Sequence, residues 1–165
     1  MTDVARPRPR SLSSRAEDVS DLDKRIIEHL QADGRRPFTQ IAAELGVSEA
    51  AVRARTNRLI ERGILQVVGV TDPLKLGFHQ MAMIGIRCES DKLIEVAEHL
   101  ADMPEVDYVV ITAGSYDLLI ETVCEDNDAL LTFLADRLRA IDGVRDTETF
   151  VYLRLVKQTY QYGTR

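Results

Sequence analysis

The spacing of apolar residues in the first third of the chain predicts three short amphipathic helices. The apolar positions of the first are Leu22, Ile26, Ile27 and Leu30. Those of the second are Ile41, Ala42 and Leu45, and those of the third are Val52, Thr56, Leu59 and Ile60. Each set gives its helix one apolar face, and three such helices supply the minimum core of a small helical domain.

Residues at the helix ends predict how the second and third helices are joined. Pro37 suits the first position of a helix, because the N–H that proline lacks would be unpaired there. Gly46 can adopt the left-handed backbone of a helix C-cap, and Ser48 is placed to cap the third helix. Two helices joined by a short glycine-containing turn form the helix-turn-helix pattern, whose second helix enters the DNA major groove.

The third predicted helix has a basic outer surface. Its arginines are Arg53, Arg55, Arg58 and Arg62. Such a face suits contact with DNA phosphates, but arginines also occur on the solvated face of ordinary surface helices. The residues expected to face the groove are Ser48, Glu49, Ala50, Arg53 and Asn57. Arg55 and Arg58 lie beside the apolar face, so the sequence leaves open whether they serve the fold or bind a phosphate.

The apolar pattern changes period after Phe78 and predicts alternating strands and helices. Strands are predicted at 80–88, 106–112, 117–124 and 146–156, and helices at 90–103 and 125–142. Ser90 is expected to cap the first of these helices, and Gly143 to end the second. The order is that of the ferredoxin-like βαββαβ unit, with both helices on one face of an antiparallel sheet. The other face also carries apolar residues, so we expect two copies to pair there.

These patterns predict an α+β chain with two folded domains. Residues 21–64 form the (winged) helix-turn-helix domain, and residues 78–165 form the ferredoxin-like domain. The β-branched run at 64–70 predicts a strand, either a wing or a linking strand, so residues 65–77 are assigned to a linking strand or hinge. Residues 1–20 are rich in Pro, Arg and Ser without periodicity, and are predicted to be a disordered tail.

Charge is distributed unevenly along the chain. The 165 residues include 21 Lys and Arg against 27 Asp and Glu, for a net charge of −6. Residues 1–65 carry 12 basic and 10 acidic residues, whereas residues 66–165 carry 9 and 17. Contact with nucleic acid must therefore come from a local basic surface. No apolar run approaches the roughly 18 residues that span a bilayer, so we expect a cytoplasmic protein without a membrane partner.

The sequence gives no sign of catalysis, a metal or a cofactor. Cys88 and Cys124 lie in apolar strand patterns, which favours buried thiols over a disulfide. They end the first and third predicted strands, which are antiparallel neighbours, so they should lie at opposite edges of the sheet. The three histidines are scattered without metal-ligand spacing, and no phosphate-binding or nucleophile motif occurs.

Several segments, in order along the chain, resemble the Lrp/AsnC family of leucine-responsive and asparagine regulators. They are LDKRIIEHLQADGR, IAAELGVS, VRARTNRLIERGIL, the DP…LG linker at Asp72, Pro73, Leu76 and Gly77, GSYDLLI and GVRDTETFVYL. The order and spacing of these segments, from about Leu22 to Tyr160, make the resemblance specific. It implies a transcription regulator that binds double-stranded DNA and whose C-terminal half dimerises and assembles further, often into octamers.

The resemblance also implies an effector site for an amino acid or related small molecule between subunits. Carried over, the family's glycine–aromatic–aspartate turn places Gly114, Tyr116 and Asp117 in or beside the pocket, with Thr147 and Thr149 as neighbours. A glycine turn exposes N–H groups to a carboxylate, and an aspartate can pair with an ammonium group. The same residues also fit a hairpin turn that Asp117 merely stabilises, and both interpretations stay open.

The chain departs from the family pattern at two positions. Pro37 stands where a capping Ser or Thr is usual, and Ser115 stands where an acidic residue is common, which leaves the effector's identity open. The leading hypothesis is a sequence-specific DNA-binding regulator modulated by an effector. The alternative is an effector-sensing oligomer that does not bind DNA and whose helical hairpin mediates assembly. The arginines of residues 48–62 favour the first.

Overall fold

The computed structural model describes residues 18–159 and residue 164. Most of the predicted tail at 1–20 therefore lies outside the described residues. The described chain divides after Gly69 into two compact units, the second of which is Val70–Gln158. None of the described helices is long and apolar enough to cross a membrane.

The described residues of the first unit form three helices, as the apolar spacing predicts. They are α1 (Asp21–Ala32), α2 (Phe38–Leu45) and α3 (Glu49–Glu61). Their shared core is formed mainly by Ile26, Ile27, Leu30, Ile41, Ala42, Val52, Leu59 and Leu65. Thr56 is buried with them, but Ile60, which the pattern placed on the same side, is 44% exposed. The prediction for Ile60 is wrong. The buried face of α3 is centred on Val52 and Leu59, and Ile60 lies about 100° further around the helix axis than Leu59, outside that face.

Local hydrogen bonds explain why these helices begin and end where they do. The Ser20 hydroxyl accepts from Asp23 N and the Asp23 carboxylate accepts from Ser20 N, which forms a capping box at α1. Gly46 ends α2 with φ of 68°, and the Ser48 hydroxyl accepts from Ala51 N at 3.2 Å to cap α3. Both predictions are confirmed. Pro37 lies one residue before the predicted place, as the N-cap of α2, where it makes no side-chain cap.

The strand predicted at 64–70 is wrong. The described backbone between α3 and Asp72 contains no strand, and a single 3-10 turn follows at Pro73–Leu76. Val67, Val68 and Val70 are at least half exposed. β-Branched residues fit a pleated surface, but a strand also needs a neighbour for its backbone hydrogen bonds. No described strand pairs with this segment, so no wing forms.

The second unit has the predicted ferredoxin-like fold. Its strands are β1 (Gln80–Cys88), β2 (Val106–Ile111), β3 (Leu118–Cys124) and β4 (Val144–Val151). They form one antiparallel sheet in the order β2-β3-β1-β4. The helices are α4 (Leu93–Ala101) and α5 (Asn127–Thr132), and α5 continues as a π-helical segment, Phe133–Leu138.

Three boundary predictions in this unit are wrong. Helix α4 begins at Leu93 after Lys92, so Ser90 does not cap it. The last helix ends at Leu138, and Gly143, with φ of 93°, instead lies in the turn before β4. Strand β4 ends at Val151 rather than at 156, and Leu153 beyond it is 97% exposed. For β4 the apolar spacing continues past Val151, although its pairing with β1 does not.

One face of the sheet packs against the helices, and we call the other the open face. On the helix-covered face, Ile84, Ile86, Leu118 and Ile120 are fully buried. Cys124 pairs in register with Gln80, eight residues along β1 from Cys88 and therefore about 27 Å from it. Both thiols are free and buried, and burial raises the pKa of each. Each cysteine is the last residue of its strand, and because β1 and β3 are antiparallel the two lie at opposite edges of the sheet, as predicted.

Candidate nucleic-acid interface and effector site

The face of α3 turned away from the core forms a continuous surface. We call it the outward face, and its exposed residues are Ala50, Arg53, Ala54, Asn57 and Glu61. These positions recur at three- and four-residue intervals opposite buried Val52, Thr56 and Leu59. Ser48, Ala50, Arg53 and Asn57 of the predicted groove-facing set are exposed, and Glu49 is half-buried.

Arg53 is held by two neighbours although it is largely exposed. Its Nη2 donates to Glu49 Oε1 at 2.5 Å, and its guanidinium carbon lies 5.2 Å from the centre of the Phe38 ring. Glu49 is one helical turn earlier on α3, and Phe38 is the first residue of α2. The guanidinium therefore has a restricted position on the outward face, and 58% of the side chain faces solvent.

Arg55 has a different environment from Arg53 and joins α3 to α1. Its Nη1 donates to Asp23 Oδ1 at 3.0 Å and to the Ser20 hydroxyl at 3.2 Å. Burial acts to raise the pKa of Asp23, but hydrogen bonds from Ser20 and Arg55 and the charge of Arg55 together hold it below its usual value. Of the two arginines that the sequence left ambiguous, Arg55 supports the fold, whereas Arg58 is exposed on α3.

In the second unit, the loop between β2 and β3 contains Gly114, Tyr116 and Asp117. Thr112 N donates to Asp117 O at 2.9 Å, and the Thr112 hydroxyl donates to Tyr116 O. The loop is also joined to β1, because Asp117 N donates to Ile86 O and Cys88 N donates to Asp117 Oδ2 at 2.8 Å. Asp117 thus fixes this loop against the end of β1, and Gly114 is exposed in it.

Tyr116 packs over the open face of β1. A Cβ atom added to Gly85 would lie 2.6 Å from Tyr116 Cγ, so only glycine leaves room for the ring. The Arg87 guanidinium lies 5.0 Å from the ring centre and pairs with Asp146 at 2.6 Å, and Arg87 Nε donates to Ser115 O. The aromatic ring, the guanidinium and the exposed loop carbonyl together form a polar and aromatic corner of the open face.

The structure does not bring all five predicted effector residues together within one chain. Thr147 and Thr149 pair in register with Ile86 and Ile84, whose side chains are buried on the helix-covered face. Tyr116 lies on the opposite face of the same sheet. Gly114, Tyr116 and Asp117 share a loop, whereas the two threonines lie on the edge strand β4.

The rest of the open face is partly apolar and partly acidic. Tyr108 and Phe150 are 51% and 46% exposed, and Phe150 meets the Tyr116 ring edge-on. Between them, the Tyr152 hydroxyl donates to Glu121 at 3.0 Å. Burial, followed by the Glu121 hydrogen bond and charge, raises the pKa of Tyr152 to about 12.

Sequence reasoning missed Phe38, Gly85 and Arg87 as neighbours of the candidate sites. Each meets its partner through a contact between separate elements, so no local spacing announces it. A glycine inside the apolar pattern of β1 was the one available signal, because such a residue indicates close approach by another group.

Comparisons with known proteins match both units. A family model described as an AsnC-type helix-turn-helix domain matches residues 19–60, and one described as an Lrp/AsnC ligand binding domain matches residues 81–162. An uncharacterized HTH-type transcriptional regulator of Pyrococcus furiosus is 37% identical over 143 residues, covering 86% of this chain and 97% of that protein.

Two solved structures show the same fold. Escherichia coli AsnC is 26% identical with a TM-score of 0.79, over 86% of this chain and 97% of that one. A transcriptional regulator of Neisseria meningitidis, solved as a complex with L-Met, is 23% identical with a TM-score of 0.79 over 87% and 95%. At that second identity the similarity extends to the fold alone.

Proposed function

This chain belongs to the Lrp/AsnC family of transcriptional regulators, and we propose that α3 binds the major groove of double-stranded DNA while the second unit binds an effector and joins copies of the chain. The observation that carries the DNA-binding part is the outward face of α3. It presents Arg53 and Asn57 on a helix whose opposite side is fixed in a core. A regulator of this kind acts in the cytoplasm, where bacterial and archaeal DNA lies.

Four further residues have supporting parts in this proposal. Ser48 fixes the start of α3, Glu49 orients Arg53, and Arg55 joins the helix to α1. Arg58 is exposed beside the outward face, where a cation meets the phosphate backbone. Base readout and phosphate contact are therefore assigned to different residues of one helix.

Pairing of two copies through the open face fits the proposed DNA binding by α3. The open face exposes Tyr108 and Phe150, and a soluble monomer seldom leaves such aromatic surface uncovered. Two copies joined there would present two α3 helices to two half-sites, as helix-turn-helix dimers do. We propose a dimer that assembles further into an even multimer such as an octamer.

The effector is proposed to be an amino acid or a related small molecule at a site between subunits. The matching family model is described as a ligand-binding domain, and the loop of Gly114, Tyr116 and Asp117 offers N–H groups and a carboxylate. Cys88 N uses Asp117 Oδ2, which leaves Oδ1 for an ammonium group. Thr147 and Thr149 lie on the other face of the sheet, so in this proposal they contribute from a second copy of the chain.

A mobility-shift titration tests the DNA-binding part. The full chain is titrated against DNA from upstream of its own gene over a salt series, because affinity that depends on several phosphate contacts falls steeply with salt. Arg58→Ala should reduce the salt slope by about one, and exposed Arg145→Ala in the second unit is the matched control. Absence of binding at low salt, from a chain that still oligomerises, would instead favour a small-molecule-binding assembly that does not bind DNA.

A further inference from the structure

The outward face of α3 alternates long polar side chains with very small ones. Arg53 and Asn57 are one helical turn apart, and Ala50 and Ala54 lie beside them. All four are exposed. A methyl group projects little from a helix, so alanines at two of the four positions let the helix backbone approach a groove closely. With the helix backbone close to the groove, the side chains of Arg53 and Asn57 are long enough to reach the base edges.

The donors of Arg53 are only partly used within the chain. A guanidinium has five N–H donors, and Glu49 takes one of them at Nη2. The Phe38 ring at 5.2 Å restricts the group on another side. Arg53 can therefore keep both internal contacts and still present a pair of parallel donors. Such a pair matches the O6 and N7 acceptors of guanine in the major groove.

Asn57 offers a different pattern from Arg53. Its amide carries one acceptor and one donor group side by side, which match the N6 donor and N7 acceptor of adenine. The rise between the two residues is about 6 Å along the helix, against 3.4 Å between stacked bases. The bases that they contact therefore lie within about two base pairs of each other.

We propose that each half-site of this protein's operator contains a guanine contacted by Arg53 and, within about two base pairs, an adenine contacted by Asn57. Glu49 and Phe38 are positioning residues that hold Arg53 for this contact. Ala50 and Ala54 contribute close approach, and their methyl groups suit contact with a thymine methyl. The proposal rests on the proposed function and adds the base identities and the residues that select them.

The test is selection of bound duplexes from a randomised DNA pool with the full chain and four variants. Arg53→Lys keeps the charge but lacks the paired donors, and should lose the guanine preference by about 5- to 150-fold while keeping most nonspecific affinity. Asn57→Ala should lose the adenine preference by a similar factor and keep the guanine. Glu49→Gln should weaken the guanine preference without changing the adenine. Arg58→Ala is the matched control and should lower affinity for all sequences equally.

The outcomes separate this proposal from the proposed function. Specific binding in which Arg53→Lys and Asn57→Ala select the same bases as wild type would overturn the proposal and leave DNA binding intact. Binding of wild type without any base preference would also overturn the proposal and leave DNA binding intact. Failure of wild type to enrich any duplex at low salt would overturn the proposed function as well. Circular dichroism of each variant confirms that a lost preference does not arise from unfolding.

Discussion

The Tyr116 ring lies against the backbone of Gly85, so close that a Cβ at position 85 would be 2.6 Å from Tyr116 Cγ. The backbone of Gly85 is in an ordinary extended strand, so the requirement for glycine comes from the ring and not from a special φ angle. This contact fixes the aromatic residue of the candidate effector loop on the open face of β1.

We predict that Gly85→Ala displaces Tyr116 and lowers the free energy of unfolding by about 1–3 kcal/mol, the usual cost of overpacking. Urea titration of the full chain measures the change. The double variant Gly85→Ala/Tyr116→Ala should cost less than the sum of the two single variants, because the ring is then absent. Additive costs would show that the ring is not the group that excludes a side chain at position 85.

The contact between Arg55 and Asp23 gives a second prediction. Arg55→Ala should lower the free energy of unfolding by about 1–3 kcal/mol, because the Asp23 side chain is only 12% exposed and would lose its charged partner. Arg58→Ala, which removes an exposed arginine from the same helix, should change it by no more than about 0.5 kcal/mol. Equal effects of the two changes would contradict the structural assignment of Arg55.

The contact between Arg55 and Asp23 should also make the stability of the folded chain depend on pH in the acid range. The pKa of Asp23 is lower in the folded chain than its ordinary value of about 3.9, so the stabilisation is complete above that value. It is lost as the pH falls through 3.9 towards the folded-state pKa, where the carboxylate takes up a proton. Unfolding measured between about pH 5 and pH 2 should show a smaller loss of stability in Arg55→Ala than in wild type.

The helix ends show what the sequence could establish. Ser48 and Ala51 are three residues apart, and Gly46 needs only its own backbone freedom, so local chemistry decides both. Strand β1 was also predicted with the bounds that the structure shows, because its apolar run ends where its neighbours end. The order of elements then led to the ferredoxin-like sheet.

Contacts that join distant residues could not be predicted in this way. Arg55 and Asp23 are 32 positions apart, and helical spacing alone placed Arg55 equally well near a phosphate. The 64–70 segment has the composition of a strand, but composition does not supply a pairing partner. Thr149 and Tyr116 lie on opposite faces of the sheet. That placement depends on the register of β4 against β1, which could not be predicted from the sequence.

Alkaline pH tests the hydrogen bond from Tyr152 to Glu121. The pKa of Tyr152 is raised to about 12 in the folded chain, against about 10 when unfolded, so its contribution is complete below pH 10 and is lost as the pH rises towards 12. We predict that Tyr152→Phe loses less stability than wild type between pH 9 and pH 12. Tyr108→Phe is the control, because it keeps the hydrogen bond between Tyr152 and Glu121, so the alkaline loss that comes from Tyr152 should remain in that variant.

An ultraviolet absorbance titration gives the same quantity directly. Wild type should show a tyrosine ionisation step near pH 12, and that late step should be missing from Tyr152→Phe. Glu121→Gln should shift the step to lower pH, because the neighbouring negative charge is removed. A late step that survives in Tyr152→Phe would assign the raised pKa to another residue.

The last prediction separates the two roles of Asp117, which fixes a loop and is proposed to meet an ammonium group. Asp117→Ala leaves Cys88 N without its acceptor and should cost about 1–3 kcal/mol of stability. Asp117→Asn keeps an oxygen for that N–H and should cost less, but it removes the negative charge. We therefore predict that Asp117→Asn folds and oligomerises like wild type while its response to an amino acid is blunted.

The measurement is a titration of wild type and Asp117→Asn with a panel of amino acids that includes L-Met, following oligomer mass and DNA affinity together. An effector shifts assembly only as far as it prefers one state, and a preference of about 10-fold supplies about 1.4 kcal/mol per site. Several sites in one oligomer add to that bias, so a modest loss at each site gives a clear loss of response. An Asp117→Asn variant that responds as strongly as wild type would show that the charge takes no part and that the turn is structural. A wild-type chain that responds to no member of the panel would contradict the amino-acid effector itself.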